Sequence, residues 1–144
     1  MAGFSMIANP NDTPTETVRV ASQAYTIGDA VMLDRTSDAT DVVPATSSST
    51  TINIYGVALE TVASSATSLL IQVVDDIQQW VVESANNSNV NHRFQRMLLT
   101  DANTVNNTGT DNTTKEAVFM QTGVQGAAAS AKIIGKFLKA QVAA

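Results

Sequence analysis

The chain has 144 residues, about the length of one domain, and combines 44% hydrophobic with only 15% charged residues. With 8 Lys and Arg against 13 Asp and Glu, its net charge is −5, so it lacks the excess of cations that neutralising a nucleic-acid backbone requires. It contains no cysteine, which excludes disulfides, thiolate nucleophiles and thiolate metal ligands. Because the chain lacks excess cations, we expect no nucleic-acid partner.

The polar residues of the chain are mostly uncharged, with 18 Thr, 12 Ser and 11 Asn, which predicts a surface of hydroxyl and amide groups. No apolar run approaches the ~20 residues that cross a bilayer, because Asp75 and Asp76 interrupt the longest one, Leu69–Val82. The first residues, MAGFSMIANPND, lack the basic and apolar regions of a secretory signal. We expect no membrane partner and synthesis in a cytoplasm.

The first 17 residues differ in composition from the rest of the chain. They contain two of its three prolines, Pro10 and Pro14, among Asn, Asp and Thr residues. Proline fixes φ and donates no backbone hydrogen bond, so this mixture favours extended chain over packed elements. We predict an extended N-terminal arm over residues 1–17 and a single barrel-like domain over residues 18–144.

After the arm, short segments alternate apolar and polar residues or are rich in β-branched residues, as is typical of strands. Gly28 and Asp29 form a turn dipeptide, and Gly56 marks a bulge or a close approach within the clearest strand. One predicted strand contains Val18 and Val20. The others lie within Tyr25–Leu33, Val42–Val43, Thr51–Leu59, Ala117–Gln121 and Lys132–Val142.

The segment Leu69–Glu83 has two interpretations. Its apolar residues follow a helical stripe, but many of them are β-branched, which favours strands. We predict two strands, Leu69–Val74 and Gln79–Glu83, hinged at Asp75-Asp76. A single amphipathic helix is the alternative.

A polar insertion of 15 residues, Thr100–Thr114, contains one apolar residue, Val105. Loops this long are uncommon unless they bind something. We expect a further turn in the small-residue stretch Gly123–Ser130.

Short segments separated by turns, without a sustained helical repeat, predict a mainly β protein: a compact antiparallel β-barrel or sandwich with an extended N-terminal arm.

The sequence offers little catalytic or metal-binding chemistry. His92 is the only imidazole, and without a partner motif it is better interpreted as a surface or capping residue. Asp75 and Asp76 are adjacent, so in a strand they point to opposite faces and cannot share a proton. The segment with Asp101 and Asp111 does not match a calcium-binding loop. We predict no catalytic residue, no cofactor, no metal site and no enzymatic activity.

The single tryptophan, Trp80, lies among β-branched residues. Such a residue is by default a core anchor. Because tryptophan is enriched at interfaces, a contact hot spot is the alternative.

Several segments, in their order along the chain, resemble the head decoration, or cement, proteins of tailed bacteriophages. The Gly-Asp-x-Val and Tyr-Gly-Val-Ala-Leu pieces are the characteristic ones, and the likeness spans most of the chain after Thr17. The segments are YTIGDAVML at 25–33, INIYGVALETV at 52–62, WVVE at 80–83, RMLLTDANTVNNTGTD at 96–111, AVFMQTGVQGAAA at 117–129 and KIIGKFL at 132–138.

The resemblance implies a compact β-barrel-like domain on the outer capsid surface, commonly a homotrimer, that clamps neighbouring subunits of the major capsid protein. It carries over no catalytic residue. We therefore expect a structural virion protein, assembled in the host cytoplasm, whose partners are the major capsid protein and copies of itself. A mildly acidic, amide-rich surface suits this role because it supplies many hydrogen bonds and keeps particles apart.

The candidate contact residues lie in three places: the arm, the polar insertion and the terminal strand. For the last two, a solvated loop and an ordinary core are the alternatives. The candidates are Phe4, Met6, Ile7, Pro10 and Pro14 in the arm, Asn103, Asn106, Asn107, Asp111 and Asn112 in the insertion, and Lys132 and Phe137 in the terminal strand.

Two other functions remain open from the sequence. The first is a receptor- or carbohydrate-binding module displayed on a virion, for which one Trp and two Tyr are a small supply of stacking rings. Trp80 and Tyr55 would be the rings to test. The second is a hydrolase acting through His92.

Overall fold

The computed structural model describes residues 3–20, 23–33, 42–45, 54–88, 94–106, 117–124 and 130–138, and the regular structure in these ranges is entirely strand. There are eleven strands, numbered in chain order. They are β1 (Ser5–Ala8), β2 (Thr15–Arg19), β3 (Ala30–Leu33), β4 (Val42–Pro44), β5 (Ile54–Ala58), β6 (Ser68–Val73), β7 (Gln79–Ser88), β8 (Arg96–Asp101), β9 (Thr104–Asn106), β10 (Phe119–Val124) and β11 (Ser130–Phe137).

The strands β2 to β6 form an antiparallel sheet in the order β2-β6-β5-β3-β4, here called the N-terminal sheet. A single bridge between Val20 and Val42 joins the two edges of this sheet, so it curls round a core of its own. Alternate residues of each strand point into that core, as the pleat requires. Its buried members are Val20, Tyr25, Val31, Val42, Ala58, Leu69 and Ile71.

The strands β7 to β11 form a closed five-stranded barrel, here called the C-terminal barrel, in the order β7-β11-β10-β8-β9. The ring closes because β9 also pairs with β7, in parallel, through Glu83 opposite Thr104 and Ser84 opposite Val105. Every other pair of named strands in the described ranges is antiparallel, whereas the isolated bridge between Val20 and Val42 is parallel.

The first strand joins the barrel made by the end of the chain. β1 pairs with the start of β7, with Met6 opposite Trp80. Just before it, the chain passes so close to the turn before β3 that a Cβ on Gly3 would lie 2.9 Å from the Cα of Gly28. Both glycines have positive φ, at 106° and 93°, where other residues are strained. The close approach of these two segments therefore requires glycine at both positions.

One core joins the N-terminal sheet to the C-terminal barrel. Phe4 packs against Phe119 and Phe137 with ring centroids 5.4 Å and 4.8 Å apart, and Trp80 meets Phe137 edge-on at 5.6 Å. The N-terminal sheet contributes residues from its outer face. The buried members are Phe4, Ala30, Ala45, Ile54, Val57, Val74, Trp80, Val82, Met97, Leu99, Val105, Val118, Phe119, Ile133 and Phe137.

The structure confirms the mainly β, compact fold class and the interpretation of Leu69–Glu83 as two strands, which are β6 and β7. Within residues 1–17, the extended chain forms β1 and most of β2, which are hydrogen-bonded strands of the barrel and the sheet. One expectation is corrected. The insertion Thr100–Thr114 is not simply a loop: its one apolar residue, Val105, is buried and lies in the strand that closes the barrel.

Candidate contact surface

The arm residues predicted to contact a partner fall into two groups. Phe4 is a correction: it is a buried member of the aromatic core and not an exposed arm residue, although it also lines the cavity described below. Its sequence neighbours gave no sign of this, since no strand was predicted there. Met6, Ile7, Pro10 and Pro14 are exposed and remain contact candidates.

The insertion residues serve the fold where they are described. The side-chain amide of Asn103 donates to the Asp29 carboxylate at 3.1 Å, and the Asn103 carbonyl accepts from the Gly3 N–H at 3.1 Å. Asn103 thus ties the barrel to the N-terminal sheet and to the start of β1. Asn106 ends β9, whereas Asn107, Asp111 and Asn112 lie outside the described residues.

The two candidates of the terminal strand differ. Phe137 is an ordinary core residue, which corrects the expectation of a contact role. Lys132 is half-buried in β11 opposite Glu83 of β7. Neither residue belongs to an exposed apolar patch.

An apolar cavity of about 130 Å³ opens where β1 and β7 meet the N-terminal sheet. Two of its lining residues, Phe4 and Trp80, are buried. Three of its lining residues are large exposed hydrophobics: Met6 (37% exposed), Ile27 (40%) and Leu59 (37%). We call these three residues the apolar rim. Its other lining residues are Ser5, Gly28, Ala58 and Gln72.

The strand registers explain why these residues share one opening. Residues directly opposite on antiparallel strands lie on the same face, so Met6 and its partner Trp80 point the same way, as does Phe4 two residues earlier. Across the opening, the Gly28 N–H donates to the Ala58 carbonyl at 2.9 Å, which holds the turn carrying Ile27 against the end of β5. The cavity is therefore built from distant parts of the sequence.

Trp80 is a core residue, as predicted, with 1% of its surface exposed. Its indole N–H nevertheless has no hydrogen-bond acceptor among the described residues. A buried donor without a partner costs about 1–3 kcal/mol. Trp80 also lines the cavity, but its indole nitrogen is enclosed and does not open onto it.

A polar network beside this region holds the segment between β1 and β2 against the turn between β6 and β7. The Asp75 carboxylate accepts from Thr13 Oγ1 at 2.5 Å and from the backbone N–H groups of Ile77 and Gln78 at 3.0 and 2.9 Å. The side-chain amide of Gln78 in turn donates to Asn9 Oδ1 at 3.1 Å. Burial raises the pKa of Asp75, but these hydrogen bonds, with one from Asn11, outweigh it and lower that pKa below its ordinary value.

The rings considered for sugar stacking are occupied or enclosed. Trp80 is buried, and Tyr55 is half-buried with its hydroxyl donating to Glu16 Oε2 at 2.6 Å. Burial, together with the hydrogen bond to Glu16 and its charge, raises the pKa of Tyr55 to about 12. Tyr55 thus links β5 to β2 across the intervening β6.

The remaining chemical candidates give no assembled site. In the described ranges no three metal-ligating side chains come together, and no helix is long and apolar enough to cross a bilayer. His92 lies outside the described residues.

The comparisons with known proteins identify no family. Neither the models of protein families nor the curated protein sequences contain a match to this chain.

Sequence reasoning missed two of the three rim residues, Ile27 and Leu59. Each carries a signal that is visible afterwards: Ile27 is an apolar residue in an otherwise polar turn, Thr26 to Asp29, and Leu59 ends an alternating strand. Single exposed hydrophobics are common, so neither signal identifies a site without the fold that brings them together.

Proposed function

We propose that this protein is a structural virion protein that decorates the outer capsid surface of a tailed phage and stabilises contacts between major capsid subunits. Its partners would be the major capsid protein and further copies of itself, as a homotrimer, without nucleic acid or membrane. The resemblance of its sequence segments to head decoration proteins supports this proposal. Two of those segments contain β3 and β5. The turn that carries Ile27 directly precedes β3 and is hydrogen-bonded to the end of β5.

The observation that carries the proposal is the apolar rim around the cavity. Contiguous exposed apolar groups on a small protein mark sites of interaction with other molecules. The rim is held by hydrogen-bonded backbone on both sides, so it is a preformed contact surface, which lowers the entropy lost on binding. A modest contact of this kind becomes strong when many copies bind one shell.

The mechanism of stabilisation is mass action. A protein that binds the assembled shell, and not its dissociated or ruptured form, lowers the free energy of the assembled state. No bond is made or broken, and no cofactor takes part in this proposal.

The test compares phage heads that lack the protein with the same heads after the purified protein has been added back. We expect the added protein to raise the temperature, and the osmotic shock, at which the heads release their DNA. The measurement is a dye-accessibility melting curve of the particles. Heads that rupture at the same temperature with and without the protein would refute the stabilising role.

A further inference from the structure

We draw no further inference here: the strongest candidate, the apolar cavity between β1 and the N-terminal sheet with its rim of Met6, Ile27 and Leu59, carries none because nothing in the structure shows what covers it.

Discussion

At the scale of single residues, Asp75 shows how neighbouring carboxylates acquire different roles. The sequence places Asp75 and Asp76 side by side in a predicted hinge, and the hinge is confirmed. It does not reveal that Asp75 alone collects hydrogen bonds from Thr13, Ile77 and Gln78 while Asp76 is exposed. Ile77 and Gln78 are close to Asp75 in sequence, whereas Thr13 is distant and is brought near by the pairing of β2 with β6.

We predict that Asp75→Asn lowers the free energy of unfolding by about 1 kcal/mol at neutral pH, because hydrogen bonds to a partly solvated carboxylate are lost. A lowered pKa in the folded state means that the ionised carboxylate stabilises the fold above the unfolded pKa. This contribution is lost as the pH falls through the folded value, so the difference from wild type should vanish well below pH ~4.

The measurement is denaturant unfolding of both proteins across the acidic range. Asp76→Asn is the control, since it neutralises the adjacent exposed carboxylate and should change stability little. An equal effect of the two substitutions at neutral pH would contradict the proposed role of the Asp75 hydrogen bonds.

At the scale of secondary-structure elements, β9, like β1, is a strand that sequence reasoning did not find. Its three residues lie in a run of Thr, Asn and Asp, where neither alternation nor β-branched enrichment is sustained. The strand exists because β7 and β8 both offer it hydrogen-bonding edges, and Val105 adds one buried side chain. Tertiary pairing therefore overrides local preference in this segment. The strands β5 and β6 and the first half of β7 were predictable because their apolar residues recur over many positions.

We predict that Val105→Ala destabilises the protein by about 2 kcal/mol, because it leaves a small cavity in the core and weakens the strand that closes the barrel. Val43→Ala in β4 is the matched control, since Val43 is half-buried at an end strand of the N-terminal sheet and should cost less. Thermal or denaturant unfolding measures both. Equal costs would show that β9 contributes little to holding the barrel closed.

At the scale of the whole molecule, the shared core links the stability of the N-terminal sheet to that of the C-terminal barrel. Ile54 and Val57 of the N-terminal sheet pack in the same buried cluster as Trp80 and Phe137 of the C-terminal barrel. The sequence predicted a mainly β, compact fold, but composition and periodicity do not say which sheet a strand joins. The parallel pairing and the crossing of β1 to β7 depend on contacts between residues far apart along the chain.

We predict that the N-terminal sheet and the C-terminal barrel unfold together. The tryptophan reports on the barrel and both tyrosines, Tyr25 and Tyr55, report on the sheet, so their spectroscopic transitions in denaturant should coincide. Ile54→Ala, which leaves a gap in the shared core, should move both midpoints to lower denaturant by the same amount. Separate midpoints for the two probes would show that the shared core does not couple the two parts.

The pairing of β1 with β7 also bears on how the chain reaches its native state. β1 precedes the other described strands along the chain, yet its neighbour β7 is completed only after the whole N-terminal sheet has been synthesised. Contacts so distant along the chain slow folding, because the loop must close before they form. Until β7 arrives, Phe4 and Met6 are apolar groups without their native surroundings, a period in which a nascent chain is open to chaperones and to pairing with the wrong strand.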